Sequence, residues 1–234
     1  MFKIELAQHT IQINNKYEYV HALCKDYLTE KNPEYTIELS DSEIAAENKD
    51  NAGYSPGYLE GLGVYRKICE ALSEQDIILF HSSAIQMDNK AILFTAPSGT
   101  GKSTHSRLWK KRFDDKVSYI NDDKPLLKCT DDGVVVYGSP WAGKDSLQNN
   151  TSAPVAAVVA LYRSEENRIY PLSREDGFAL LLNQTYRINE LQKMTIILKN
   201  INRLSCVPMY TLKCNISVEA AELVYDTLKG RGIL

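Results

Sequence analysis

The stretch APSGTGKST, residues 96 to 104, constrains this chain more than any other feature of its sequence. It lies between the apolar run AILFT and a segment rich in helix formers, so the sequence predicts a strand, a glycine-rich loop and a helix in that order. Glycines let successive backbone N–H groups converge on phosphate oxygens, and the following helix presents its positive end to the same charge. We therefore interpret this segment as a phosphate loop.

The residue types in the loop suit the phosphates of a nucleotide together with a divalent metal. Lys102 supplies a compact cation, and the hydroxyl of Ser103 is placed to coordinate Mg²⁺. The predicted nucleotide-binding residues are Ser98, Gly99, Thr100, Gly101, Lys102, Ser103 and Thr104. Ala96 stands where such loops usually begin with glycine, and it would resist a positive φ if that position required one.

A second cluster, Asn121-Asp122-Asp123, follows the apolar segment VSYI. Adjacent carboxylates at the end of a buried strand repel each other unless a proton or a cation separates them, and near a nucleotide that cation is a divalent metal. A solvated turn carrying two acids is the alternative. We predict that Ser103, Asp122 and Asp123 form a metal site.

Composition excludes several classes of protein. The net charge of -3 argues against a basic nucleic-acid-binding surface. No apolar stretch approaches the roughly 18 residues of a membrane span, and the start MFKIELAQHT lacks the pattern of a signal peptide. The five cysteines include no C-x-x-C pair, and we interpret all five as small buried hydrophobic residues. We expect a cytoplasmic protein that binds neither nucleic acid nor membrane.

Hydrophobic patterning divides the chain into two α/β parts, residues 1–75 and 76–234. The first part contains strand patterns at FKIEL, TIQIN and YTIEL, a helix from Tyr17 to Leu28, a capping box at Ser40 and a helix after Gly57. In the second part, strand patterns joined by hairpin-like turns predict a mixed sheet rather than a purely parallel one. The polar, turn-rich segment from Glu47 to Gly57 is predicted to be a mobile loop or linker.

Two segments, HSSAIQMDNKAILFTAPSGTGKSTHSRLW and YINDDKPLL, place a histidine-containing strand, the phosphate loop and a paired Asp in one order. From about Ile77 to Gly143, this order resembles the nucleotide-binding core shared by HPr kinase/phosphorylase and ATP-dependent phosphoenolpyruvate carboxykinase. The chain looks most like the small bacterial HPr-kinase-like proteins, which are described as serine kinases. The resemblance implies a mixed-sheet P-loop core over 76–234, with a small α/β N-terminal module over 1–75.

The resemblance also implies roles for individual residues. Lys102 would hold the β- and γ-phosphates of ATP, and Ser103 would bind Mg²⁺, with Mn²⁺ as the alternative metal. One carboxylate of Asp122 and Asp123 would bind metal while the other acts as base on the incoming hydroxyl, and Asp122 is the base in our working hypothesis. His81 matches a histidine that binds a second metal in the carboxykinases and lies beside the reacting groups in the HPr kinases.

The resemblance leaves the phosphate acceptor open. Thr104 stands where HPr kinase/phosphorylases often have Glu, and residues 1–75 do not resemble their usual N-terminal domain. We therefore expect a kinase acting on a hydroxyl, preferably a serine of a protein or peptide, although a small molecule is an alternative acceptor. A non-catalytic nucleotide sensor and a carboxykinase-type enzyme are the competing functions, and assembly into a homo-oligomer stays open.

Other polar residues are weaker candidates. Lys144, in the segment GSPWAGKDS, is placed to meet negative charge near the γ-phosphate, with a structural turn packed on Trp141 as the alternative. Arg66 and Arg163 are candidate phosphate or acceptor contacts, with surface ion pairs as the alternative. His105 and Arg107 lie on the predicted loop helix, where we assign them no functional role.

Overall fold

The computed structural model describes residues 1–48 and 53–234, which form two compact units, Met1–Gln75 and Asp76–Leu234. Residues 49–52 of the predicted linker lie outside the described part of the chain. Each unit has its own sheet and helices.

The first unit is built on a three-stranded sheet of order β1-β2-β3. Its elements are β1 (Phe2–Leu6), β2 (His9–Asn14), α1 (Glu18–Leu23), β3 (Tyr35–Glu38), α2 (Asp41–Glu47) and α3 (Pro56–Ser73). The pair β1–β2 is antiparallel, whereas β2–β3 is parallel and needs the crossover that contains α1. The predicted capping box is confirmed, because Ser40 Oγ accepts from Glu43 N while the Glu43 carboxylate accepts from Ser40 N.

The helix expected from Tyr17 to Leu28 is shorter than its sequence pattern indicates. It ends at Leu23, and a 3₁₀ turn over Lys25–Tyr27 follows. Leu28 is extended and forms a bridge to Ile4 in β1. Pairing with the sheet thus replaces the last helical turn, which is a tertiary effect that helical periodicity does not report.

The second unit is a mixed α/β structure whose sheet, within the described residues, has nine strands. Its strands are β4 (Ile77–Leu79), β5 (Ser82–Met87), β6 (Lys90–Thr95), β7 (Val117–Asn121), β8 (Leu126–Thr130), β9 (Gly133–Tyr137), β10 (Ser152–Arg163), β11 (Arg168–Pro171) and β12 (Met209–Cys214). Its helices are α4 (Lys102–Phe113), α5 (Arg174–Gln184), α6 (Leu191–Leu204) and α7 (Val218–Gly230). Strand β10 pairs in parallel with β6 and with β12. The pairs β9–β10, β11–β12 and β5–β6 are antiparallel, so the predicted mixed sheet is confirmed.

Alternation along the central strands produces a hydrophobic core on each face of this sheet. In β6, Leu93 contributes to the core that includes residues of α5 and α6, whereas Phe94 contributes to the core that includes residues of α4 and α7. Val158 and Val159 in β10 divide between the two cores in the same way. This period of two is expected for a strand covered on both faces. The loop of residues 96–101 then joins the end of β6 to the start of α4.

Two features of this unit differ from the expectations. Strand β11 was not predicted, because its sequence RIYP is short, polar and ends in proline. The five cysteines are free thiols, but Cys206 is exposed and Cys214 half-buried, so the expectation of uniformly buried cysteines is wrong for these two. Within the described residues, none of the helices has both the length and the apolar character that crossing a membrane requires.

Candidate functional site

The predicted phosphate loop, residues 96 to 104, joins β6 to α4 and includes positions whose conformation only glycine adopts readily. Gly99 has φ of +75° and Gly101 has φ of +123°, and Gly101 is the residue that caps the start of α4. A Cβ atom built on Gly99 would meet no atom within 4 Å, so open space lies beside the loop backbone there. Ala96 is not one of the described residues with a positive φ, which explains why alanine is tolerated at that position.

Lys102 lies in the first turn of α4 and is only 7% exposed. Its ammonium group donates a hydrogen bond to the carbonyl oxygen of Ala96, at 3.0 Å. Burial lowers the pKa of Lys102, and the nearby charge of Asp123 opposes part of that shift. The surrounding residues therefore neutralise the positive charge of Lys102 only in part.

Asn121 fixes the turn that carries the two acidic residues. The side chain is fully buried, and its amide nitrogen donates to the carbonyl oxygens of Ser139 and Trp141 at 2.9 and 3.2 Å. Its carboxamide oxygen accepts from the backbone N–H groups of Asp123 and Lys124. One side chain thus ties the end of β7 to the segment after β9, and its bond from the N–H of Asp123 forms an Asx turn.

Asp122 is 1% exposed and points away from solvent. Its Oδ1 accepts from the backbone N–H of Gly143 at 2.7 Å, while its buried Oδ2 has no hydrogen-bond partner among the described residues. A Cβ atom on Gly143 would lie 2.7 Å from Oδ2, so the close approach requires glycine. Burial raises the pKa of Asp122, and the hydrogen bond from Gly143 opposes the rise.

Asp123 has the opposite electrostatic surroundings. It forms an ion pair with Lys124 and a hydrogen bond with His81, whose Nε2 lies 3.2 Å from Asp123 Oδ1. Burial alone would raise the pKa of Asp123, but the hydrogen bond with His81 and the charge of Lys124 hold it well below its ordinary value. The two adjacent carboxyl groups therefore differ: burial raises the pKa of Asp122, whereas its neighbours stabilise Asp123 as an anion.

His81 is positioned by Gln184, a residue that the sequence analysis did not identify. The backbone N–H of His81 donates to Gln184 O at 2.8 Å, and the Nδ1 of the ring lies 3.1 Å from Gln184 Oε1. A bridge between Phe80 and Thr185 continues this pairing. The ring of His81 is thus fixed between Gln184 and Asp123, although 103 residues separate His81 from Gln184 in the chain.

The structure brings most of the predicted site residues to one cavity of about 390 Å³ in the second unit. Those that line it are His81, Ser98, Gly99, Gly101, Lys102, Ser103, Thr104, Asp123 and Lys144, together with Gly143 and Asp145. Asp122 lies behind Gly143 and Thr100 faces another cavity, so neither is part of this lining. The cavity combines two ammonium groups, two carboxylates, an imidazole and loop backbone, a set that can bind and position a polyanion together with a cation.

The two arginines that the sequence singled out lie in different settings. Arg66 forms an ion pair with Glu47 at 3.0 Å, which is the structural alternative given above. Arg163 instead donates to the carbonyl oxygens of Gly99 and Thr100 in the phosphate loop, the latter at 3.2 Å. His105 is 2% exposed, and its Nε2 accepts from Trp109 Nε1 at 3.2 Å. Residues 1–48 and 53–234 contain no cluster of three or more His, Cys, Asp or Glu side chains suited to a metal ion.

Comparison with known proteins gives a family model that matches most of the chain. The family model described as SynChlorMet cassette protein ScmC matches residues 61–224. No curated protein matches. Among solved structures, the Hpr(Ser) kinase/phosphatase from Coxiella burnetii shows 13% sequence identity and a TM-score of 0.37, over 66% of this chain and 94% of that chain. A likeness at that level establishes neither a common fold nor a common activity.

Proposed function

The chain belongs to the family of SynChlorMet cassette protein ScmC, and we propose that it is an ATP-dependent phosphotransferase that transfers the γ-phosphate to a hydroxyl group. The acceptor is a serine of a protein or peptide, or the hydroxyl of a small molecule. One observation carries the proposal: Lys102, the phosphate loop, Asp123 and His81 line the same cavity. Phosphoryl transfer asks a protein mainly to position the reactants and to neutralise charge.

We extend the proposal to the type of fold and assign Asp76–Leu234 to the P-loop cores of the HPr kinase type. The support is the order along the chain: His81, then β5 and β6, the phosphate loop, α4 and β7, and finally the acidic pair. The antiparallel pairing of β5 with both β6 and β7 sets these elements side by side. The residues that surround the cavity thus come from adjacent strand ends.

The loop fits the phosphates of ATP. The positive φ values of Gly99 and Gly101 and the open space at Gly99 leave the loop backbone accessible to a polyanion. Lys102 is buried, yet the hydrogen bond described for its ammonium group is to a neutral carbonyl, so a phosphate oxygen would compensate its charge far better. Lys144 adds a second cation to the lining of the cavity.

The residues present also fit a hard divalent cation, Mg²⁺ or Mn²⁺. The unpartnered Oδ2 of Asp122 and the hydroxyl of Ser103 are oxygen ligands of the kind these ions take. Magnesium in such sites uses one or two carboxylates plus phosphate and water oxygens, so the absence of a larger acidic cluster in the described chain does not oppose it. When bound, the ion would neutralise charge on the phosphate oxygens.

We assign the hydrogen bond from the acceptor hydroxyl to Asp123 rather than to Asp122, in contrast to our working hypothesis from the sequence. A base must first reach the proton that it accepts, and Asp123 lines the cavity whereas Asp122 is covered by Gly143. His81 and Gln184 hold the Asp123 carboxylate in place. Asp122 then takes the role of metal ligand.

The proposed function is tested by incubating the purified chain with γ-labelled ATP, Mg²⁺ and a cell extract, and following label on protein, peptide and small-molecule fractions. We expect acid-stable label on a hydroxyl-bearing acceptor, and Lys102→Ala should abolish it. Binding of ATP without any transfer would support a nucleotide sensor and contradict the kinase. Production of phosphoenolpyruvate that depends on oxaloacetate would identify a carboxykinase instead.

The two acidic residues make a matched pair for testing their roles. Asp123→Asn should abolish transfer while leaving ATP binding within about threefold, because the change removes only the group that meets the acceptor. Asp122→Asn should weaken ATP binding mainly when Mg²⁺ is present, which calorimetry with and without the metal measures. The opposite pattern would exchange the two roles, and undiminished transfer by the Asp123 variant would refute the base assignment.

A further inference from the structure

A group of exposed tyrosines lies on the unit Met1–Gln75, whose residues the candidate site does not use. Tyr17, Tyr19 and Tyr54 expose 40%, 42% and 55% of their surface, and Tyr58 is half-buried. One exposed aromatic residue is ordinary on a protein surface, but several side by side mark a candidate interaction surface. We call Tyr17, Tyr19, Tyr54 and Tyr58 the tyrosine cluster.

The members of the tyrosine cluster pack against one another and against Gly57. Tyr58 stacks on Tyr54 with ring centroids 4.5 Å apart, and Tyr19 meets Tyr58 edge-on at 6.0 Å. A Cβ atom on Gly57 would lie 2.9 Å from the Cβ of Tyr19 and 3.2 Å from that of Tyr17, so both residues lie directly on the glycine backbone. The cluster is therefore one surface whose rings support each other.

The backbone beneath the tyrosine cluster is held by Glu60, a fully buried acid in α3. Its carboxylate accepts from the backbone N–H groups of Lys16 and Tyr17, at 2.6 and 3.0 Å. A buried carboxylate is costly without such bonds, so Glu60 fixes the start of α1 against α3. The tyrosine cluster is thus in position before a partner arrives, which lowers the cost of ordering side chains on binding.

The charges of this unit determine the charge of a suitable partner. Residues 1–75 contain 13 acidic and 7 basic residues, whereas residues 76–234 contain 17 acidic and 20 basic ones. Beside the tyrosine cluster, the side chain of Glu18 is 81% exposed, and the ammonium group of Lys16 is already paired with Asp41 at 2.5 Å. Such a surface attracts cations, and it repels both nucleic-acid phosphates and a second copy of the same acidic unit.

Tyrosine rings together with carboxylates suit the side chain of arginine. The face of an aromatic ring attracts a guanidinium group, and a nearby carboxylate pairs with the same charge. Tyrosine and arginine are also the residues enriched where proteins contact each other. Building on the proposed function, we propose that the tyrosine cluster is the docking surface for an arginine-rich segment of the protein or peptide that accepts the phosphate.

Peptide binding in the absence of ATP tests the docking surface separately from phosphate transfer. The full-length chain is titrated in a calorimeter with a peptide that carries one serine and several arginines, and with the same peptide in which glutamates replace the arginines. We expect only the arginine peptide to bind, with an affinity that falls as salt is added. Transfer of γ-labelled phosphate to its serine is then measured on its own. Binding without transfer would support the docking surface and contradict the kinase, whereas no binding, or equal binding of both peptides, would overturn the docking surface.

A matched set of substitutions locates the bound segment. Tyr19→Ser combined with Tyr54→Ser should weaken binding of the arginine peptide roughly three- to tenfold, whereas the corresponding phenylalanine pair keeps the rings and should bind normally. Both changed rings are exposed and the half-buried Tyr58 stays in place, so the fold is retained. Tyr170→Ser is the control, because Tyr170 is 44% exposed on β11 in the other unit. Unchanged binding by the serine pair would overturn the proposal, and so would a dimer in analytical ultracentrifugation that the serine pair abolishes.

Discussion

Arg163 holds the carbonyl groups of the predicted phosphate loop in place. Its guanidinium lies at the end of β10 and donates to the oxygens of Gly99 and Thr100. In a trans peptide the C=O and the next N–H point in opposite directions, so a carbonyl held by Arg163 turns the following N–H away from the arginine. A loop that binds phosphate must keep its carbonyl oxygens away from that anion, because oxygens of like charge repel. Arg163 meets this requirement by contacts that need no phosphate.

We predict that both Arg163→Ala and Arg163→Lys weaken ATP binding by roughly three- to tenfold, the effect of losing about one hydrogen bond of this kind. Lysine keeps the charge but lacks the planar fork that reaches two carbonyls, so it should not rescue binding. Arg168→Ala is the control, because Arg168 is an exposed arginine paired with Glu166. Calorimetry measures the effect, and ATP binding of the lysine variant at the level of the unsubstituted chain would contradict the argument.

At the level of elements, α4 is attached to the sheet by an aromatic cluster that includes a buried histidine. His105 packs edge-on against Phe94 of β6, and Trp109 is close to both Phe94 and Phe113. The helix therefore starts at the phosphate loop and is fixed to the sheet one turn later. Because His105 must stay neutral in this environment, the packing of α4 depends on pH.

The direction of that dependence follows from the pKa of His105, which is lowered from 6.5 to about 3 in the folded chain. At a pH between these two values, His105 is protonated in the unfolded chain but neutral in the folded chain. The contribution of neutral His105 to the free energy of unfolding is therefore fully present above pH 6.5 and falls as the pH decreases. At pH 5 the loss is about 2 kcal/mol. His105→Gln keeps an acceptor for Trp109 but does not titrate, so its loss of stability between pH 8 and pH 5 should be smaller by about that amount.

Urea denaturation, monitored by tryptophan fluorescence, measures this difference for the unit that contains His105. Both tryptophans, Trp109 and Trp141, lie in Asp76–Leu234. The comparison is between the pH dependence of the variant and that of the unsubstituted chain, so other titrating groups contribute equally to both. Parallel pH dependences of the two proteins would show that His105 is not the group responsible.

The elements that could be predicted from the sequence are those with local signals. The phosphate loop, the strands around it and the capping box at Ser40 are all specified by residues within about ten positions of each other. Gln184 and Arg163 could not be found in this way, because their contacts with His81 and the phosphate loop span 103 and more than 60 residues. A glutamine at a helix end and an arginine at a strand end carry no pattern that reports such a partner. Likewise, Asp122 and Asp123 differ in pKa and exposure because of their contacts with Gly143, Lys124 and His81. The sequence, which shows two adjacent Asp residues, does not indicate that difference.

At the scale of the whole molecule, the residues of the candidate site all belong to one of the two units. Both cavities beside the phosphate loop are lined by residues of Asp76–Leu234 alone. The unit Met1–Gln75 has its own sheet and its own buried residues, among them Ile4, Ile11 and Ile68. We propose on this basis that the second unit binds the nucleotide and that the first selects the acceptor.

We therefore predict that residues 76–234, produced alone, fold and bind ATP within about threefold of the full-length chain but lose transfer to a protein or peptide acceptor. Retained binding is expected because the contacts argued for ATP lie inside the second unit, whose core covers both faces of its sheet. Tryptophan fluorescence reports whether the fragment is folded, calorimetry measures its ATP binding, and transfer of γ-labelled phosphate measures its activity. Full transfer by the fragment would show that residues 1–75 do not select the acceptor, whereas an unfolded fragment would show that the two parts are not independent domains.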